Sequence, residues 1–443
     1  MWKPMPRLSH LQMRFPMSTE ASSRRRRNSL RVLFTEASST SARQALYALG
    51  RRGYIIDVCD PNPFCLGRFS RYIRSWLRCP PFGREPEKYL QFLRDRLSEG
   101  RYDVLFPVHD QVFLLAQFAD LFERQIAVAL SPMAALQQVQ CKAAFVRLLD
   151  ELALPHPTTK IVRGVKALQQ HWQFPCYIKL AFGTAGTGVW FVQNQQELDR
   201  VAGELQTGAP EEEILVQEPA QGTFTVTQAV FQKGLVVAAH SYRARAMGVG
   251  GSACCRESVL RPVVERDLAL LGAHLGWHGA LHVEYFYDEI ANRPSYIDSN
   301  PRIGETLNAT LSGTNLCDIL IQVSLGHLPS TPMSSTSRAG VRTHSLITSV
   351  LAAAERGAGR RQLLAELYQA CTKRGLYDES SEETNRVADD WLSGIPLAAV
   401  LARLLLIPRS ARRIIRSTVA NYALDAPAVQ RIQDLARTRS ERS

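Results

Sequence analysis

Pro175-Cys176-Tyr177-Ile178-Lys179-Leu180, followed after Ala181 and Phe182 by Gly183-Thr184-Ala185-Gly186-Thr187-Gly188-Val189, reads as a short apolar strand running into a glycine-rich loop. Three glycines between 183 and 188 allow backbone N–H groups to approach phosphate oxygens closely. A triphosphate carries several negative charges, which must be neutralised without blocking the γ-phosphoryl group. Lys179, at the end of the strand, stands where a cation would serve that purpose.

Downstream, Ile214-Leu215-Val216-Gln217-Glu218-Pro219 is an apolar strand ending in an amide and an acid, with Gly222 after it. Farther on come His282-Val283-Glu284-Tyr285 and Tyr296-Ile297-Asp298-Ser299-Asn300-Pro301-Arg302. Side chains alternate faces along a strand, so His282, Glu284 and Phe286 share one face, and Asp298 and Asn300 share a face of theirs. Two carboxylates and an amide oxygen form a hard oxygen shell suited to Mg²⁺, with manganese as the alternative ion, completed by phosphate and water. Arg302 follows a proline that sets its exit angle, and its guanidinium can fork onto a transferring phosphoryl group. Arg243 and Arg245 alternate onto one face after a strand read as ending at His240. They precede the glycine segment Met247–Ser252, where they are candidates for substrate contact.

Upstream, Val32-Leu33-Phe34, a helix containing Ala42, Ala45, Leu46 and Leu49, and the strand Tyr54–Val58 make a βαβ unit. A helix over Pro86–Ser98 leads to a further strand at Val104–Val108. The Ser38–Ser41 turn is a candidate anion cradle, and His109-Asp110 reads as a solvated pair beyond a strand end. From about Ser131 the pattern changes. The helix Lys142–Glu151 precedes strands at 175–180, 188–192, 213–217, 224–231, 234–240, 280–287 and 295–299, which indicate an antiparallel sheet. The chain is Ser/Thr/Pro-rich just past residue 330 and helical thereafter.

With Cys141-Lys142-Ala143-Ala144-Phe145 placed ahead of them, these patterns occur in the order found in the ATP-grasp superfamily, and the sequence resembles that family over roughly residues 30–325. Among its branches it is most similar to the carbamoyl-phosphate-synthetase-like carboxylate–amine ligases. The resemblance implies that Lys142 and Lys179 contact the α- and β-phosphates, and that the loop bearing Gly183, Thr184, Gly186 and Gly188 closes over the nucleotide. It makes Gln217 and Glu218 the adenine-binding hinge, gives Glu284, Asp298 and Asn300 to magnesium, and puts Arg302 with Lys179 at the catalytic centre. Two departures stand out: Gly222-Thr223-Phe224-Thr225 lacks the acid that often binds ribose, and Asp298 occupies a position where Glu is more usual.

The expected fold is α/β plus α+β. A Rossmann-like domain (31–130) precedes an ATP-grasp domain of two α+β subdomains (131–330) and a mainly helical C-terminal region (331–443), behind a disordered basic tail (1–30). The tail accounts for half of the net charge of +12, since residues 1–28 carry +6, and this argues against a nucleic-acid partner. Met17 is an alternative start. Nine cysteines without a C-x-x-C pair, the adjacent Cys254 and Cys255 included, fit free buried thiols in a reducing cytoplasm. Leu397–Arg416 combines leucines with Arg403, Arg409, Arg412, Arg413 and Arg416. It reads as a helix packed on the core, with contact at an anionic membrane surface as the alternative. The expected activity is ATP-dependent activation of a small-molecule carboxylate as an acyl phosphate for attack by an amine. The alternative is a nucleotide-binding scaffold with weak turnover.

Overall fold

The computed structural model describes residues 30–183, 186–208, 211–327, 337–384 and 386–442. The basic tail up to residue 29, Thr184, and the Ser/Thr/Pro-rich stretch 328–336 lie outside the described residues.

Four parallel strands, β1 (Arg31–Phe34), β2 (Ile55–Asp60), β3 (Ile73–Arg78) and β4 (Val104–Phe106), form the first sheet in the order β3-β2-β1-β4. Val32, Leu33 and Phe34 are fully buried, as a central parallel strand covered on both faces requires. The helix Thr40–Gly50 starts at Ser39, whose hydroxyl accepts the Ala42 N–H. The turn therefore brings serines to the carboxyl end of β1, where α/β sheets expose their ligand crevice.

Strands β5 (Thr159–Arg163), β6 (Cys176–Leu180), β7 (Val189–Val192) and β8 (Glu213–Gln217) form an antiparallel sheet in the order β5-β8-β6-β7. This sheet has its own core, in which Trp172, Ile178, Val192 and Ile214 meet Leu198, Val201 and Leu205 of the helix Gln195–Gly208.

The largest sheet has seven strands. They are β9 (Thr223–Gln232), β10 (Leu235–Met247), β11 (Ala253–Val259), β12 (Gly279–Asp288), β13 (Arg293–Asn300), β14 (Arg342–His344) and β15 (Ser380–Glu382), ordered β13-β12-β9-β10-β11-β14-β15. Two sheets and their helices thus make the pair of α+β subdomains expected from the sequence. Three features differ from it. Strand β10 continues past His240 to Met247, so Arg243 and Arg245 lie within a strand. Strand β11 is flanked by β10 and β14, and its pairing overrides the weak strand pattern of Ala253-Cys254-Cys255-Arg256-Glu257. The C-terminal region is mainly helical yet contributes β14 and β15 to the sheet.

Leu397–Arg416 is two helices, Gly394–Leu406 and Ala411–Val419, interrupted at Ile407-Pro408 because a proline cannot continue the hydrogen-bond ladder. Leu404 is buried, Leu397, Leu401 and Leu405 are partly buried, and the arginines of the stretch are exposed together with Leu406 and Ile407. No helix among the described residues is long and apolar enough to cross a membrane. The last helix, Ala426–Arg442, sends Ala428, Val429 and Ile432 into a core shared with the N-terminal sheet. Buried ion pairs also tie down the segment before the last helices: Arg43 of the N-terminal helix meets Asp390 at 2.9 Å, and Arg256 of β11 is gripped by both Glu305 and Glu383. All described cysteines except the half-buried Cys141 and the exposed Cys371 are buried thiols, and none is in a disulfide.

Candidate active site

A cavity of about 780 Å³ opens where the three sheets face one another, and it falls in the size range of small-molecule sites. Lys142, Lys179, Gly183, Gly186, Gln217, Glu218, Glu284, Asp298, Asn300 and Arg302 all line it.

Lys179 extends from β6 and is buried, donating to the Gln217 side-chain oxygen at 2.7 Å and to the Ile297 carbonyl at 3.2 Å. Burial pushes its ammonium down to about 8; Asp298 and Glu284 oppose that shift, and Lys142 adds to it. Lys142 begins the helix Lys142–Glu151, with its ammonium 3.1 Å from the Gly183 carbonyl and 3.6 Å from an Asp298 oxygen. The two lysines, 37 positions apart in the chain, therefore face the same carboxylates. In the glycine loop, a Cβ at Gly183 would stand 2.1 Å from the Thr187 carbonyl oxygen, and Gly186 lies against the Gly250 backbone. Glu218 is exposed at the rim, while Tyr177, Phe224, Phe286 and Ile297 give the adjoining wall an apolar character suited to a flat ring.

Glu284 and Asp298 are direct partners across β12 and β13, and His282 is paired with Asn300. Burial acts to raise the Glu284 carboxyl, but the His282 ring 3.5 Å away, with Arg302 and Lys142, outweighs it and holds the group below its usual value. Like charges placed opposite one another across strands repel, so the pair is suited to a cation between them. Among the described residues no cluster of three His, Cys, Asp or Glu side chains encloses a metal. The donor set here is two carboxylates and an amide oxygen. That is the open oxygen shell in which magnesium keeps waters and phosphate oxygens as its remaining ligands.

Arg302 is buried, and its guanidinium donates to Asn300 Oδ1 and Asp110 Oδ1, each at 2.8 Å. Sequence reasoning missed this second partner. His109 and Asp110 are buried, not solvated: Asp110 also accepts the Leu424 N–H at 3.1 Å, and the His109 ring lies 4.3 Å from that of Tyr422. Burial pushes the His109 imidazole down to about 4, so it is neutral at pH 7. The position of the pair just past β4 was the available signal, but its partners lie about 190 and 310 residues away.

Two expectations are corrected by the geometry. In the Ser38–Ser41 turn the N–H groups of Ser38 and Ser39 already donate to the buried Glu36, so this part of the turn is not a free anion cradle. Burial and the neighbouring Asp60 raise the Glu36 carboxyl to about 7. Arg243 and Arg245 do share a face, but they are not part of the cavity wall; both turn to Glu257, at 3.2 and 3.6 Å. Tyr242, on the opposite face of β10, lines the cavity instead.

No protein-family model matches the chain. Solved structures do resemble it. The L-amino acid ligase of Bacillus licheniformis superposes with a TM-score of 0.54 at 15% identity, over 71% of this chain and 79% of that one. The biotin carboxylase–βγ-ATP complex of Campylobacter jejuni gives 0.55 at 16%, over 70% and 74%. The biotin carboxylase domain of Hydrogenobacter thermophilus 2-oxoglutarate carboxylase, bound to MgADP and bicarbonate, gives 0.55 at 16%, over 70% and 73%. The class of architecture is thereby defined: this chain has the ATP-grasp fold.

Proposed function

We propose that the protein is an ATP-dependent ligase joining a carboxylate to an amine. The observation that carries the reading is the convergence of Lys142, Lys179, Glu284, Asp298, Asn300 and Arg302, drawn from separate elements, on one cavity. Neighbours of the same fold crystallised with βγ-ATP or MgADP support the nucleotide and the ion.

In this mechanism the apolar slot by Glu218 takes the adenine, and Lys142 and Lys179 hold the phosphates. A substrate carboxylate oxygen attacks the γ-phosphorus, the bond to the β-phosphate oxygen breaks, and ADP leaves. The amine then adds to the acyl carbon, phosphate departs, and the amine's surplus proton passes to solvent, giving an amide. Magnesium held by Glu284, Asp298 and Asn300 would neutralise charge on the phosphates. Arg302, oriented by Asp110, sits where its guanidinium can fork onto the phosphoryl oxygens in flight, and no side-chain nucleophile is required. The direct test is phosphate release from Mg·ATP with a panel of carboxylates and hydroxylamine as a general amine trap. Release that no carboxylate stimulates would refute the ligase reading.

Two further outcomes are expected. Lys179 has a folded pKa near 8, below its unfolded value near 10.5, so between these pH values the unfolded chain binds more protons and stability rises with pH. Phosphate binding favours the ammonium. Nucleotide affinity is therefore expected to fall as pH rises through about 8, with proton uptake on binding measured by calorimetry in buffers of different ionisation enthalpy. An affinity flat from pH 7 to 9 would contradict this. In Gly183→Ala the new Cβ must displace the Thr187 carbonyl, and kcat/KM for ATP is expected to drop about 10²-fold with the melting temperature little changed.

A further inference from the structure

The cavity that holds the phosphate-binding side chains has a second compartment with a different character. One wall is the loop after β2, through Phe64, Leu66 and Phe69. The other is built from the C-terminal helices Leu346–Glu355, Gly394–Leu406 and Ala411–Val419, through Leu351, Val400 and Ile415. Leu66, Val400 and Ile415 pack against the buried Leu351 in one apolar cluster, while Phe64, stacked on Phe69, is 76% exposed and the lining residue Ile395 is 43% exposed, so apolar surface is left open to the cavity. Among the described lining residues of the three helices, Arg403 is the single charged side chain, and the lining residues between Asn62 and Phe69 carry no charge. Arg302 marks the end nearest the carboxylates of β12 and β13, and the neutral His109 and the Tyr422 ring stand beside it.

We infer that this compartment receives the hydrocarbon body of the carboxylate to be activated, so that the substrate is an amphiphilic acid with an extended aliphatic or aryl-aliphatic chain. The inference rests on the ligase reading and deepens it. An apolar wall contributes binding in proportion to the apolar area it removes from water, and here that wall is continuous with the phosphoryl-transfer centre. Arg302 and Arg403 line it, with no acid on the compartment's helical or loop walls, and this favours an anion over an alkylammonium ion. The C-terminal region is held in place for this task. The Leu424 N–H is bonded to Asp110, and Asn421 reaches Ser38 at 3.3 Å, so the same segment that walls the compartment touches the residue orienting Arg302.

The test titrates butyrate, hexanoate, octanoate and decanoate into the full-length protein loaded with Mg·ADP, below their micellar concentrations. The dissociation constant is expected to fall about fourfold per methylene until the compartment is filled. Octylamine is expected to bind at least tenfold more weakly than octanoate. Ala399, exposed on the cavity side of its helix, can accept a larger side chain without disturbing the core. Ala399→Trp is expected to lower the ratio of decanoate to butyrate affinity at least tenfold. A dissociation constant independent of chain length, octylamine binding equal to octanoate, or an unchanged ratio in Ala399→Trp would each overturn the inference. Hydroxylamine-trapped turnover separates this from failure of the ligase reading. Turnover with short polar acids and no gain with chain length sinks the compartment alone; chain-length-dependent binding without turnover of any acid sinks the ligase reading and leaves the compartment standing.

Discussion

Glu284→Gln is expected to lower carboxylate-stimulated phosphate release by about 10²–10³-fold, the range seen when one group stabilising transition-state charge is removed. The substitution keeps the side chain's size and its hydrogen-bonding distance to His282, and removes one negative charge from a pair set directly opposite on β12 and β13. The shell would then be one carboxylate and two neutral amide oxygens, too little negative charge for a hard divalent ion that dehydrates reluctantly. The defect should thus be in metal-dependent binding as well as in rate. Mg·ADP should raise the melting temperature of the wild-type protein through ligand linkage, and should raise that of Glu284→Gln far less. If the variant gained the same thermal shift and kept its activity, Glu284 would not be a metal ligand.

Arg256→Met is expected to destabilise the fold by about 3–5 kcal/mol, the usual cost of removing one partner from a buried ion pair. The guanidinium of Arg256 is fully buried, bonded to Glu305 and to Glu383, and lies 5.2 Å from the centre of the Tyr242 ring. Without it, the fully buried Glu383 and the cavity-lining Glu305 lose the cation they share. Among the described residues Glu383 keeps the neutral donors Gln44 and Thr343, while Glu305 keeps Thr40. The readout is the denaturant midpoint of the full chain. Arg256→Met combined with Glu383→Gln should recover part of the loss, because the second change removes a charge left unpaired by the first. Equal midpoints for wild type and Arg256→Met would show that the network contributes nothing net. Because Glu305 also lines the cavity, loss of the network should disturb the site as well as the fold.

What could be read from residues alone was local in origin. The Lys179 strand and its glycine loop, the alternation that put Glu284 with His282, and Asp298 with Asn300, and the helix beginning at Lys142 each depend on neighbours within about one strand or helix. Their order along the chain then indicated the architecture. Even the split of Leu397–Arg416 at Pro408 has a local cause, a missing backbone donor.

Tertiary structure decided whatever depends on pairing across long separations. Strand β11, with two cysteines, an arginine and a glutamate, carries a poor local signal and exists because β10 and β14 flank it. Arg243 and Arg245 point along the face that alternation assigned, but Glu257, reached only through β11, takes them away from the cavity. His109 and Asp110 look like loop residues until Arg302 and Leu424 arrive and bury them. A buried charge is tolerable only with its partner, and that partner's position is a property of the packed molecule.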